Sequence, residues 1–194
     1  MLRRGGKVDV LGVWNAKGGV GKTTLCLQLA GFYTYIAKKK VLVVDLDPQK
    51  SAFGIYHAGK LGFDVTCEAP AWRPPHDLVL IDHPPGVQAL PKTGHVLVPF
   101  QPNVLAYKPT LRVFKYLERK GQRVIKVLTC VDRRKKEHRQ VLESLDADVA
   151  VVHNRAIYER SLGRGYTVFH GEATALYGVQ PARDEIAYLA GWSF

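Results

Sequence analysis

Asn15-Ala16-Lys17-Gly18-Gly19-Val20-Gly21-Lys22-Thr23-Thr24 follows an apolar run, Val8, Val10, Leu11, Val13 and Trp14, and opens a segment with helical spacing. A strand, a glycine-rich turn and a helix N-terminus in that order form a cradle for phosphate. Glycine permits the dihedrals that turn successive backbone N–H groups inward, and the helix dipole adds partial positive charge. In such a cradle Lys22 sits on the β- and γ-phosphates and the Thr23 hydroxyl ligates Mg²⁺.

The ordinary phosphate-loop pattern has glycine five residues before Gly21, where this chain has Ala16, and it carries a second lysine, Lys17. The string Lys17-Gly18-Gly19-Val20-Gly21-Lys22-Thr23-Thr24 resembles the deviant Walker A motif of the ParA/MinD family of ATPases. The resemblance implies that all eight residues bind nucleotide. It also implies that Lys17 reaches across a nucleotide-sandwich dimer to the partner subunit's phosphates, so that ATP binding triggers dimerisation.

Outward from the loop, Leu25, Leu29, Phe32, Tyr33 and Ile36 recur at three- and four-residue spacing and predict a helix over about Thr23–Ala37. Lys38, Lys39 and Lys40 close it at the negative end of its dipole. Val41-Leu42-Val43-Val44 reads as a strand of a parallel sheet covered on both faces. It delivers Asp45-Leu46-Asp47-Pro48-Gln49 at its carboxyl end, where open α/β sheets bind ligands. This segment resembles switch I of ParA proteins, which implies Asp45 in the Mg²⁺ shell and Asp47 activating water. Leu78-Val79-Leu80-Ile81-Asp82 is a further buried strand ending in a carboxylate. That is the Walker B arrangement, with Asp82 positioned to hold Mg²⁺ through water. His83-Pro84-Pro85-Gly86 resembles the family's switch II turn, with His83 as a departure. Two readings of His83 stand: tuning or pH sensing, and a plain hydrogen bond to the backbone.

The next strands are read at His95–Pro99, Arg123–Leu128 and Ala150–Val152. Helices are read across Leu105–Leu117, after the basic cluster Arg133–Lys136 in a stretch holding Val141, Leu142 and Leu145, and over Ala182–Ala190. Ser51–Gly54 begins a short helix, Phe63–Cys67 reads as a strand, and Ala69–Pro75 as loop. In relatives an asparagine after the strand at Arg123–Leu128 contacts adenine, whereas Thr129 and Cys130 stand there in this chain. Alternating strands and helices give an α/β, doubly wound, mostly parallel sheet, expected as one domain over residues 1–194.

Composition narrows the classes. Hydrophobic residues make up 46% and charged residues 23%, as in ordinary globular chains. No apolar run reaches membrane-spanning length, and Met1–Gly6 is not followed by the apolar stretch of a signal peptide. Cys26, Cys67 and Cys130 are widely spaced, which argues against zinc, a closely ligated iron–sulfur cluster and a disulfide framework. They read as small buried hydrophobes in a reducing cytosol.

The net charge of +11 favours a polyanionic partner, nucleic acid or an anionic membrane surface. Arg133-Arg134-Lys135-Lys136 is the densest basic cluster and reads either as a solvated face or as a phosphate-binding one. The block His153–Phe169 resembles the carboxyl-terminal part of short ParA proteins, which implies DNA contacts for Arg155, Arg160 and Arg164. Seven residues precede the first predicted strand, so no separate helix-turn-helix domain is expected there. The resemblance as a whole implies a cytoplasmic, nucleoid-associated ATPase with ATP and Mg²⁺ as cofactors. Its dimer binds DNA nonspecifically and is released when a ParB-like or other cargo-bound activator stimulates hydrolysis. A MinD-like membrane-positioning ATPase is the alternative, though the final residues carry one arginine against two acids, the wrong sign for a membrane-surface helix. A third class comprises metabolic enzymes on the same loop, of which the amidotransfer ligases stay open because residues 51–77 are hard to read.

Overall fold

The computed structural model describes residues 8–70, 74–87 and 90–194, with 104–109 described by backbone alone. The predicted loop residues Ala71, Trp72 and Arg73, and the segment Met1–Gly6, lie outside the described residues.

Among the described residues the chain forms seven strands and six helices: β1 Asp9–Val13, α1 Lys22–Tyr35, β2 Val41–Asp45, α2 Ser51–Ala58, β3 Asp64–Thr66, β4 Leu78–Asp82, β5 His95–Phe100, α3 Val104–Arg119, β6 Arg123–Val131, α4 Lys136–Glu143, β7 Val149–His153, α5 Ala156–Leu162 and α6 Val179–Ala190, with a 3₁₀ turn at Gly171–Ala175 before α6. The sheet order is β3-β2-β4-β1-β5-β6-β7, and every pairing is parallel. The doubly wound parallel sheet read from the sequence is the one observed.

The strands are parallel because their apolar runs are continuous: every residue of β2 is buried, so both faces need covering. One face packs against α1, α2, α5 and α6 through Leu27, Leu29, Val43, Leu80, Ile157 and Ile186. The other packs Trp14, Val96, Val98 and Phe100 against Phe114 and Leu117 of α3 and Val141 of α4. Strand β1 lies between β4 and β5, so the chain departs in opposite directions on either side of it, and the crevice of a doubly wound sheet opens above its carboxyl end.

Most boundaries fall within two residues of the sequence reading, but β6 runs on to Val131, three residues past the strand read, and α4 spans Lys136–Glu143, beginning within the basic cluster and ending before Leu145. The last helix begins three residues earlier than read, at Val179, because Gly178 takes a left-handed conformation before it and Pro181 is tolerated in a first turn. The edge strand β3 is three residues long, and its Asp64 carboxylate lies 2.8 Å from His76 Nε2.

Candidate functional site

The register places Val13 beside Asp82 and Asp45 beside Asp82, so three strand ends stand level at the carboxyl edge. From Val13 the chain enters the glycine loop. Asn15 fixes its entry: the side-chain amide donates to Pro99 O at 2.6 Å and the Oδ1 accepts from Lys17 N–H at 2.8 Å. Gln101 Nε2 donates to Gly19 O at 2.9 Å and steadies the far side. Gly19 and Gly21 have φ of 72° and 88°, where a side chain would be strained. Helix α1 then starts at Lys22 with no side-chain cap and no acidic residue in its first turn. Its first N–H groups are therefore left for a ligand, the condition for an anion site.

The two lysines of the loop differ. Lys22 is buried, and its Nζ donates to Lys17 O at 3.4 Å. Burial lowers its pKa, opposed by the negative charges of Asp82 and Asp47. Lys17 is exposed, and its ammonium has no partner among the described residues.

The two strand-end acids differ as well. Both oxygens of Asp45 are engaged by backbone N–H groups, Oδ1 by Asp47 at 3.1 Å and Oδ2 by Phe53 at 3.0 Å. Asp45 thus ties switch I to the first turn of α2. Both oxygens of Asp82 are buried without a hydrogen-bond partner. Burial pushes its pKa up to about 7, with Asp45 and Asp47 adding to the rise and the adjoining Thr23 hydroxyl and Lys22 opposing it. A buried carboxylate left unpaired suits a hydrated cation supplied together with a ligand. Among the described residues no group of three or more His, Cys, Asp or Glu forms a metal cage. Mg²⁺ binds through one or two carboxylates plus substrate phosphates, a demand that a single buried carboxylate beside a phosphate cradle can meet. Asp47 Oδ1 accepts from Gln49 N–H at 2.9 Å, and Asp47 borders the same cleft as the loop.

Switch II is latched to the loop strand. His83 N–H donates to Val13 O at 3.1 Å, Gly86 N–H to Ala16 O at 2.9 Å, and Trp14 Nε1 to Gly86 O at 3.3 Å. The His83 ring Nε2 is buried without a partner, and burial lowers the ring's pKa to about 4. Burial thus favours the neutral form of the ring near pH 7.

A cleft of about 350 Å³ runs from Gly18–Thr24 past Thr129 and Cys130 to His153, Asn154, Arg155 and Tyr158. Glu185 of α6 anchors its far wall, a feature the sequence reading missed. One carboxylate oxygen accepts from Arg155 Nη2 at 2.6 Å, Arg155 Nε at 3.0 Å and His153 Nδ1 at 2.7 Å. The other accepts from Tyr158 Oη at 3.0 Å and His153 N–H at 3.2 Å. Burial works against ionisation of Glu185, but the bonds from Arg155 and His153 hold its pKa below the usual value. Arg133 Nε donates to His153 Nε2 at 3.2 Å, so the proton of a neutral ring sits on Nδ1 and points to Glu185. The only sequence signal for this network is the i, i+4 spacing of Ala182, Ile186 and Ala190, which turns Glu185 toward the sheet beside them.

The seven basic residues read as DNA contacts have different surroundings. Arg155 is paired with Glu185 and Arg134 with Asp132 at 2.8 Å. Arg133 reaches His153, and Arg164 Nη1 approaches Tyr166 Oη at 3.5 Å. Lys135, Lys136 and Arg160 are exposed with no partner among the described residues. The β6–α4 turn brings Arg133–Lys136 together, and His153 links that turn to Arg155.

A glycine loop between β1 and α1, a lone buried carboxylate at the end of β4 and a cleft over a doubly wound sheet define a phosphate-binding α/β domain. Residues 11–165 match the CobQ/CobB/MinD/ParA nucleotide binding domain, and the chain belongs to that family. It is 40% identical over 89 residues to the maintenance of carboxysome distribution protein A of Gloeobacter kilaueensis, covering 41% of this chain and 40% of that protein. It is 44% identical over 66 residues to the chromosome-partitioning ATPase Soj of Thermus thermophilus, covering 29% of this chain and 25% of that one. The matched stretches thus span well under half of these curated relatives. Among solved structures, a putative plasmid partition protein of Borrelia burgdorferi bound to AMPPNP superposes with a TM-score of 0.73 at 16% identity, covering 94% of this chain and 98% of the other. The septum site-determining protein MinD of Pyrococcus horikoshii, complexed with Mg-ADP, gives 0.68 at 17% identity, covering 95% of each. These structural likenesses establish the fold.

Proposed function

We propose that the chain is an Mg²⁺-dependent ATPase of the partition type, which pairs around ATP, binds DNA without sequence preference in the paired state and lets go on hydrolysis. The observation that carries this reading is Lys17. Its backbone is pinned by Asn15 and Lys22, while its ammonium is exposed at the rim of the cleft with no partner among the described residues. A second subunit's phosphates are the partner it lacks.

Within one subunit, the loop amides and Lys22 neutralise charge on the β- and γ-phosphates. Thr23 and Asp82 would hold Mg²⁺, which supplies further neutralisation of the phosphate oxygens when bound. Asp45 would reach that shell through water, with the acceptor capacity its two N–H bonds leave over. Asp47, two residues on, is the group placed to take a hydrogen bond from the attacking water. A cargo-bound activator of the ParB kind would accelerate the step. For DNA, Lys135, Lys136 and Arg160 are the leading contacts, because their charges are free.

Titration of duplex DNA with ATP, with ADP and without nucleotide, at two salt concentrations, tests the reading. Binding is expected with ATP alone and to weaken steeply with salt. Neutralising Lys135, Lys136 and Arg160 together is expected to lower the salt slope by about one for each DNA phosphate left without its cation. Binding that ignores the nucleotide, or a slope unmoved by the triple variant, overturns it.

A further inference from the structure

The positive charge of the chain is unevenly spread. Between Val104 and Arg123 it carries six lysines and arginines against one acid, Glu118. On α3 these charges are sorted by side. Leu111, Phe114 and Leu117 turn one side of the helix to the sheet, with Phe114 and Leu117 buried. Arg112, Lys115 and Arg119 recur at three- and four-residue spacing and so share the opposite side. All three are exposed, without a partner among the described residues. They form one stripe about 10 Å long, since a helix rises about 1.5 Å per residue. Glu118 lies 3.7 Å from Lys126 Nζ, on the flank toward β6, and does not neutralise it. Like charges in one row repel one another, and nothing among the described residues offsets that.

Tyr116 stands beside the stripe and is 46% exposed, with Lys120 Nζ 5.7 Å from its ring centroid. Helix α3 runs from the carboxyl end of β5 back to the amino end of β6. Its second half, with Lys115, Tyr116 and Arg119, therefore points toward the amino edge of the sheet, away from the cleft at the carboxyl edge.

We propose that this face of α3 docks an acidic segment of another protein, whether or not nucleotide is bound. Carboxylates of the segment pair with Arg112, Lys115 and Arg119, each arginine taking a carboxylate through two N–H groups. An apolar side chain between those carboxylates covers Tyr116. Tyrosine and arginine are the residues that anchor protein interfaces. A duplex backbone would meet the cations but offer the tyrosine ring nothing apolar. A membrane surface takes up an apolar helix face, and that of α3 is already packed on the sheet. Such docking needs no nucleotide, so it stands or falls apart from the ATPase reading.

Fluorescence anisotropy on the full chain at physiological salt tests it, with a labelled designed helix as probe. The probe carries glutamates at matching three- and four-residue spacing and leucines beside them. A lysine version of it, duplex DNA, and vesicles of phosphatidylserine and phosphatidylcholine are the comparisons. Combined reversal, Arg112→Glu with Lys115→Glu and Arg119→Glu, is expected to weaken the acidic probe about tenfold or more and to let the lysine probe bind instead. Tyr116→Ala is expected to weaken the acidic probe about threefold. Neutralising Lys135, Lys136 and Arg160 should leave it within about twofold, with or without ATP, because distant charges are screened. Should the reversed chain melt early, glutamine at the same three positions is expected to give the same loss without the rescue. An acidic probe that binds the glutamine variant as tightly as wild type, or that ignores Tyr116, overturns the assignment. So does a DNA salt slope that drops by about three in the glutamine variant, which gives the stripe to DNA. Vesicle binding that is lost with the same three charges gives it to lipid and overturns it as well.

Discussion

Asp45 and Asp82 occupy equivalent places at the ends of neighbouring strands, and the sequence assigns both to a metal. Their surroundings separate them. Asp45 is satisfied by two N–H groups of its own chain, and Asp82 by none. The Asp45–Phe53 bond joins residues eight apart across a turn, so no spacing rule announces it. Asp82, by contrast, was legible, because a carboxylate directly after a buried strand has few other uses.

Its raised pKa gives a test. Between the ordinary carboxyl value of 3.8 and about 7, the folded chain keeps a proton that the unfolded chain releases. Stability of the metal-free chain therefore falls as pH rises through that window, and affinity for Mg²⁺ rises with it. From pH 6 to pH 8 the ionised fraction grows about tenfold. The Mg²⁺ requirement for nucleotide binding should fall by a similar factor in wild type and stay flat in Asp82→Asn, measured by titration at the two pH values.

Among the elements, α1 connects the loop to the rest of the core. Its apolar spacing revealed a helix, but not how completely it would be enclosed. Gln28 is fully buried, donating to Ser161 Oγ at 3.2 Å and accepting from Val168 N–H at 3.0 Å. Those partners lie more than 130 positions away, beyond the reach of local patterning. Gly31 lies against Thr167, and a Cβ added there would stand 2.3 Å from the Thr167 Oγ1. Gly31→Ala gains helix propensity of up to about 1 kcal/mol but overpacks a buried contact at a cost of about 1–3 kcal/mol. The variant should melt lower by several degrees in a thermal scan, since about 1 kcal/mol shifts a domain of this size by roughly 2–4 °C. Equal or higher melting would show that the α1 contact yields.

For the molecule as a whole, sequence order and apolar runs carried the architecture, because a parallel sheet needs buried strands separated by helices. Charge was harder to read. The excess of +11 pointed to polyanions, yet which cations are free depends on partners such as Glu185 and Asp132, distant or local, that composition does not reveal. Lys17, exposed and without a partner among the described residues, is the charge for which a use between molecules is proposed. Lys17→Ala should leave the melting temperature within about a degree, as exposed substitutions usually do. Light scattering with Mg·ATP should then report a single chain where wild type pairs. Pairing by the variant at wild-type concentrations would remove the role given to that lysine. Strand β3 bears on how such copies can meet. With only three residues and a polar Asp64–His76 contact on it, this border offers a short and guarded ladder of amides. Sheet extension from one chain into the next, the route to fibrous aggregates, is disfavoured on that side.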